Sequence, residues 1–204
     1  MVEEAFLLCG GKGKRFGRDK RFITIAGKPL YLHQIDKLKP LFPRVAILCK
    51  RGEESLFTEA GVSVLGEEEQ ESSLLCGIIS GLSRTLKEEA LFLSVDMPLV
   101  PGEGVRFLRD YPSACCPVIP FVGGKANPGF SLFPKASLEE LVSCREKGVF
   151  RFTEILPRVG AILLGEKDLP FLDGNPDSMF NINRPEDYER MRDKFPELFL
   201  GSGS

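Results

Sequence analysis

Directly after the apolar run Ala5 to Cys9 the chain enters a glycine-rich, cationic stretch, Leu7-Leu8-Cys9-Gly10-Gly11-Lys12-Gly13-Lys14-Arg15-Phe16-Gly17-Arg18-Asp19-Lys20. From Gly10 to Arg21 it carries six basic residues (Lys12, Lys14, Arg15, Arg18, Lys20, Arg21) against one acid, Asp19, so positive potential is expected to concentrate in one loop. Glycine lets backbone N–H groups come close to phosphate oxygens because no Cβ intervenes. Arginine grips two oxygens at once, whereas lysine acts as a point charge. The spacing excludes two common phosphate loops. A Walker A loop needs Gly-Lys-Ser/Thr five residues after its first glycine, and Arg15, Phe16 and Arg18 stand at that distance from Gly10, Gly11 and Gly13. A dinucleotide fingerprint needs a third glycine where Phe16 stands. What remains is a loop whose backbone from Leu8 to Gly13 can hold a nucleotide. Its Arg15 and Lys20 can steady the charge that develops when a nucleophile attacks an α-phosphate and pyrophosphate leaves.

Two further clusters suit the same chemistry. The run Ala90-Leu91-Phe92-Leu93-Ser94-Val95-Asp96-Met97-Pro98 reads as a buried strand that delivers Asp96 to its carboxyl end, where Pro98 stops the ladder. Mg²⁺ takes one or two carboxylates plus phosphate oxygens, so a single well-placed aspartate can tether it. The alternative role for Asp96 is a turn or cap residue ahead of the next helix. The acidic turn Gly66-Glu67-Glu68-Glu69-Gln70-Glu71 offers carboxylates that accept from the adjacent N1–H and N2–H₂ donors of guanine, while cytosine presents only its N4 amino group on that edge. Near the carboxyl end, Asn181 and Asn183 flank Ile182 just before Pro185, and Asn183 or its neighbour is expected to cap the helix that follows.

Short strands must carry these groups. Runs Ala5–Cys9, Arg44–Cys49, Val62–Leu65, Ala90–Val95, Cys115–Ile119 and Ala161–Leu164 are apolar and rich in Val, Ile, Leu and Phe, as strands buried on both faces are. Between them, Pro29–Leu38, Ser72–Arg84, Gly102–Arg109, Ser137–Lys147 and Glu186–Phe195 place apolar residues at helical intervals. Alternation of the two predicts an α/β fold, a Rossmann-like, mostly parallel sheet with helices on both faces and ligands beyond the strands' carboxyl ends. At 204 residues one domain over 1–200 is expected, with 201–204 a flexible tail.

Bulk composition narrows the function class. A net charge of −2 argues against a general nucleic-acid surface. No apolar run approaches the roughly 20 residues of a bilayer-spanning helix, and the amino terminus does not resemble a secretory address, so a cytoplasmic location is expected. Cys9, Cys49, Cys76, Cys115, Cys116 and Cys144 form no CxxC pair and read as small core residues rather than zinc ligands or disulfide partners. His33, the sole histidine, falls in a helical pattern and is expected to be packed or capped rather than catalytic.

The opening loop resembles the LAGGxSxRMGxDK segment of the molybdenum cofactor guanylyltransferases and their relatives in the nucleotidyltransferase superfamily. Leu8, Gly10, Gly11, Arg15, Gly17, Asp19 and Lys20 fall in register, and Gly27-Lys28-Pro29-Leu30 matches the GKPL that follows; Cys9 and Phe16 replace alanine and methionine. Asp96 sits in a stretch similar to the family's CDxP element, with Val95 for the cysteine, and Asn181-Ile182-Asn183-Arg184-Pro185-Glu186-Asp187 resembles N-x-N-T-P-E-D/E, with Arg184 for the threonine. The match covers most of residues 4–195 and is loose from Gly102 to Leu172.

That resemblance implies a nucleotide-diphospho-sugar-transferase type of fold and transfer of GMP from GTP to molybdopterin, bearing its metal or not. Arg15, Lys20 and Asp96 would be the catalytic residues. Leu8, Cys9, Gly10, Gly11, Gly13, Lys20, Glu67 and Asp96 would hold the nucleotide, Asp96 the Mg²⁺, and Asn181 and Asn183 would face the pterin or the metal. It also implies a monomer whose protein partners are cofactor-biosynthesis proteins or molybdoenzymes. The start of the helix after the acidic turn, Ser73-Leu74-Leu75-Cys76-Gly77, departs from the family's GPLxG and is similar to cytidylyltransferase relatives. The carboxyl-terminal segment lacks their GDxGxR and favours guanine. A cytidylyltransferase for the same pterin, another small-molecule phosphate nucleotidyltransferase and a regulatory module that binds nucleotide without chemistry are the alternatives.

Overall fold

A computed structural model describes residues 1–10, 19–67, 73–112, 115–173 and 176–200. In chain order its elements are β1 (Glu4–Leu8), β2 (Thr24–Ile25), β3 (Lys28–Pro29), α1 (Leu30–Leu38), β4 (Arg44–Lys50), β5 (Ser63–Glu67), α2 (Leu74–Arg84) and β6 (Glu89–Ser94). They continue with α3 (Gly102–Arg109), β7 (Val118–Val122), β8 (Lys125–Ala126), β9 (Phe130–Pro134), α4 (Leu138–Glu146), α5 (Phe152–Arg158), β10 (Ile162–Gly165) and α6 (Pro185–Lys194). Each expected strand and helix is present within a few residues. The strand expected from Cys115 begins at Val118 and runs on to Val122, past Pro117, which cannot donate to a ladder.

The main sheet has the order β10-β7-β9-β6-β1-β4-β5, with β8 paired to β7. Strands β6, β1, β4 and β5 are mutually parallel, as are β10 and β7. Strand β9 is the antiparallel member of this mostly parallel sheet, running antiparallel to both β6 and β7, with Leu132 opposite Leu91 and Val118. Breakers hide it in the sequence. Pro134 falls at its end, where no further ladder bond is needed, and the hydroxyl of fully buried Ser131 donates to the Pro128 carbonyl, so its polar group is satisfied within the packing. Helix α5 is hidden similarly, by Pro157 in its last turn.

Alternate residues of each central strand serve opposite layers, as a period of two requires. Ala5 and Leu7 of β1, Ile47 of β4 and Leu91 and Leu93 of β6 pack with Leu30, Ile35 and Leu38 of α1, Val105 and Leu108 of α3 and Met191 of α6. Phe6, Leu8, Ala46, Leu48, Ala90 and Phe92 pack on the other face with Leu75, Ile78, Ile79 and Leu82 of α2, Leu141 of α4 and Ile155 of α5. Ser73 starts α2 by accepting from the Cys76 N–H at 3.2 Å. Among the described residues no helix is long and apolar enough to cross a membrane.

The α2 layer lies unusually close to the sheet at Gly81. There Phe6 and Phe92 stack with centroids 5.5 Å apart, and a Cβ on Gly81 would stand 2.5 Å from the Phe92 ring. Phe133 closes the far side of that ring edge-on at 6.0 Å, so the ring has no free volume to enter. Gly81→Ala therefore gains about 1 kcal/mol of helix propensity and loses roughly 1–3 kcal/mol to overpacking. Thermal unfolding followed by circular dichroism is expected to show a lower midpoint for the variant; an equal or higher midpoint would mean that α2 retreats freely from the sheet.

Candidate active site

Residue Asp96 leaves β6 at the carboxyl edge of the sheet, and its two oxygens have different partners. Oδ1 accepts from the Ser94 hydroxyl at 2.6 Å, and Oδ2 from the Lys20 ammonium at 2.5 Å. Both side chains of the ion pair are nearly buried, with relative exposures of 11% and 13%. The turn behind Asp96 is pinned from three sides. Helix α1 contributes Gln34, whose amide donates to the Met97 carbonyl at 2.8 Å, and Lys37, which donates to the carbonyls of Pro98 and Val100 at 2.5 and 3.0 Å. Strand β1 holds the Val95 N–H through the Leu8 carbonyl, and the carboxyl-terminal segment reaches the Asp96 carbonyl through the Ile182 N–H at 2.8 Å. Burial pulls the Lys37 ammonium down to about 8.

Lys20 is placed by a short 3-10 turn, Lys20–Phe22, whose cap is Asp19. Here one expectation needs correction. Arg21, counted among the cations of the loop, is 1% exposed and fully engaged: it donates to both Asp19 oxygens, to Glu53 at 2.5 Å and to the Cys9 carbonyl at 3.1 Å. Its guanidinium also lies 5.6 and 5.4 Å from the ring centres of Phe22 and Phe57. Burial pulls its pKa down, but the hydrogen bonds and charges of Asp19 and Glu53 more than offset this and hold it above the ordinary value. Arg21 is thus a structural clamp that aims its neighbour Lys20, and its charge is unavailable to a ligand.

A cleft of about 280 Å³ opens over Asp96, bordered by Leu8, Gly10, Glu67, Gly77, Lys125 and Asn181 among others. Glu67, at the end of β5, is 1% exposed, and its Oε2 has no hydrogen-bond partner among the described residues. Burial raises its carboxyl to about 7, against the opposing charge of Arg84 and with a small addition from Glu53. Gly77 of α2 leaves room for it, since a Cβ there would lie 3.4 Å from the Glu67 Oε1. The Oδ1 of Asn181 is likewise buried without a partner.

The sequence-derived candidates therefore divide. Leu8, Gly10, Glu67, Asp96 and Asn181 border one cleft, and Lys20 reaches it through Asp96. Cys9 does not: its N–H donates to the Leu48 carbonyl, its carbonyl accepts Arg21, and burial pushes its thiol well up. Asn183 is exposed and outside the cleft, and neither it nor its neighbour caps α6 through a side chain. The Asp187 carboxylate instead reaches back to the N–H groups of Asn183 and Arg184, both at 2.8 Å. Gly11, Gly13 and Arg15 lie outside the described residues, as do Glu68 to Glu71 of the acidic turn. Gln34 and Lys37 escaped the sequence reading, although Gln34 stands four residues after Leu30 on the stripe that Ile35 and Leu38 continue, and a polar residue on an apolar stripe is a signal in itself. His33 behaves as expected, its ring bonded to the Ile25 carbonyl at 2.6 Å.

Among the described residues no group of three or more His, Cys, Asp or Glu could cage a metal. The donors at the cleft are hard oxygens, the Asp96 carboxylate and the unpartnered amide oxygen of Asn181. This set fits Mg²⁺, which draws its remaining ligands from phosphate and water, and suits zinc poorly.

Comparison with known proteins places these features in a family. The MobA-like NTP transferase domain matches residues 5–159. The molybdenum cofactor guanylyltransferase of Cereibacter sphaeroides is 32% identical over 188 residues, covering 90% of this chain and 92% of that protein. The probable molybdenum cofactor guanylyltransferase of Pyrococcus horikoshii is 31% identical over 194 residues, 90% of this chain and 95% of that one. Among solved structures, molybdopterin-guanine dinucleotide biosynthesis protein A from Archaeoglobus fulgidus superposes with a TM-score of 0.83 at 22% identity, over 95% of this chain and 99% of that one, a likeness of fold.

The raised carboxyl of Glu67 makes stability depend on pH. The folded chain holds this proton up to about pH 7, the unfolded chain only to its ordinary value near 4.5, so the contribution is full below 4.5 and is lost as pH rises through 7. Glu67→Gln removes the penalty. Relative to wild type the variant is expected to gain on the order of 2–3 kcal/mol at pH 8 and almost nothing at pH 4. Urea titrations at both pH values measure the difference, and an equal gain at the two would show that Glu67 ionises normally.

Proposed function

We propose that this chain, which belongs to the MobA-like NTP transferase family, transfers GMP from GTP to the terminal phosphate of molybdopterin, bearing its metal or not, and releases pyrophosphate. An oxygen of the acceptor phosphate attacks the α-phosphorus, a new P–O bond forms, and the bond to the bridging oxygen of the β-phosphate breaks. A phosphomonoester already carries about −1.5 to −2 charge at neutral pH, so the nucleophile needs no general base. This suits a cleft whose described residues include no histidine.

Reading of the base rests on Glu67. A buried carboxylate with one uncompensated oxygen is costly until a donor reaches it, and guanine brings two adjacent N–H donors. That carboxylate borders the same cleft as Asp96, and this is the observation that carries the proposal. The names of the relatives support the choice of acceptor.

Lys20, freed from Asp96 or shared with it, sets its charge against the phosphates, and Arg15 is assigned the same duty from the sequence. Asp96 and Asn181 would hold Mg²⁺, which when bound supplies charge neutralisation across the phosphates. Gln34, Lys37 and Arg21 keep Asp96 and Lys20 fixed, so that little reorganisation is needed when charge develops.

Incubation with each of the four nucleoside triphosphates, Mg²⁺ and molybdopterin is expected to release pyrophosphate with GTP; preference for CTP would overturn the guanylyl reading. Asp96→Ala is expected to lower turnover by about three orders of magnitude or more while moving the unfolding midpoint by only a few degrees. Retained turnover would remove Asp96 from the chemistry.

A further inference from the structure

Strand order divides the cleft into two flanks. Asp96 follows β6, which has β1 on one side and β9, then β7, on the other. Leu8, Gly10 and Glu67, assigned above to the nucleotide, all come from the β1 to β5 flank. The opposite flank is walled by the β7–β8 hairpin, whose two-residue turn Gly123-Gly124 takes left-handed φ angles of 61° and 73°, the conformation that tight hairpins demand.

Lys125, the first residue after that turn, borders the cleft together with Asp96 and is the one basic residue among the described residues that do so. Its backbone is fixed. It pairs with Val122 across the hairpin, and its carbonyl accepts at 3.1 Å from the amide of Asn127, itself 5% exposed and bonded through its N–H to the Pro120 carbonyl. Among the described residues no carboxylate pairs with its ammonium, in contrast to Lys20, which pairs with Asp96. The same lysine also borders a second cavity of about 710 Å³ on the outer side of the hairpin, walled by Phe121, Phe152 and Leu156.

We propose that Lys125 is a substrate-binding residue that holds the terminal phosphate of the acceptor, which enters over the β7–β8 hairpin. This rests on the nucleotidyl-transfer reading above. Transfer brings a phosphomonoester against an α-phosphate in a cleft that already holds the carboxyl groups of Glu67 and Asp96, and like charges brought together there repel. Lys20 and the amino-terminal loop serve the nucleotide, so the acceptor needs a cation of its own. Lys125 stands on its flank, is unpaired among the described residues, and extends from a braced backbone.

Two measurements on full-length wild type, Lys125→Met and Lys125→Arg test the proposal: fluorescence titration with molybdopterin alone, and steady-state GMP transfer. Lys125→Met is expected to weaken molybdopterin binding and raise its KM by about tenfold or more, with a shallower dependence on salt, while the KM for GTP stays within about twofold. Lys125→Arg should recover most of the loss. Unchanged molybdopterin affinity in Lys125→Met, or an equal rise in the KM for GTP, would overturn the assignment. Should wild type bind molybdopterin but transfer no GMP, the functional reading fails; a Lys125-dependent affinity would then still support the phosphate contact.

Discussion

A carboxylate proposed to hold a divalent cation must both face its ligand and be denied freedom, and at Asp96 the side chain borders the cleft while the turn that carries it is fixed. Its side chain lies between a hydroxyl two residues back and an ammonium seventy-six residues earlier in the chain, at 2.6 and 2.5 Å. Its backbone is held by β1, α1 and the segment before α6. Everything else described for the cleft is arranged around that point. The Lys20–Asp96 pair brings the end of the amino-terminal loop to the edge of β6, and Arg21, buried between Asp19 and Glu53, keeps Lys20 aimed there. A pair with side-chain exposures near one-eighth, 11% and 13%, gives up much of its hydration. Its worth is therefore positional more than energetic.

Glu67 presents the complementary case, a buried acid that is left short of partners. The chain tolerates a carboxyl raised to about 7 at the end of β5, where a neutral residue would pack at less cost. Strain of this kind is expected where a ligand supplies the missing donors, and Gly77 and the unpartnered Asn181 amide oxygen belong to the same space. The residues proposed for guanine recognition, metal tethering and phosphate handling thus share one edge of one sheet, at the position where doubly wound folds place ligands.

Much of this was legible in the residues. Short apolar strands between amphipathic helices predicted the sheet; residue type and position singled out Asp96 and the acidic turn, the family resemblance pointed to Glu67 and Asn181, and these three residues border the cleft. Three features were not legible, each for a physical reason. Strand β9 carries Ser131 and ends on Pro134, and helix α5 carries Pro157, residues that local propensity counts against both elements; the Ser131 hydroxyl is satisfied by the Pro128 carbonyl three residues earlier. Arg21 looks like one more loop cation until Glu53, thirty-two residues away, is brought against it. The duty of Gln34 and Lys37 depends on which turn the α1 face meets, and local periodicity cannot say that. The motif draws attention to both asparagines, and of the two Asn181 borders the cleft while Asn183 is exposed outside it.

The most direct measurement is a crystal structure of the protein with a non-hydrolysable GTP analogue and Mg²⁺. It should show the Lys20 ammonium within hydrogen-bonding distance of a phosphate oxygen, Asp96 on the metal, and the guanine edge donating to Glu67. A nucleotide seated away from the β6 edge, or a base turned from Glu67 with its carboxyl still unpartnered, would contradict the account.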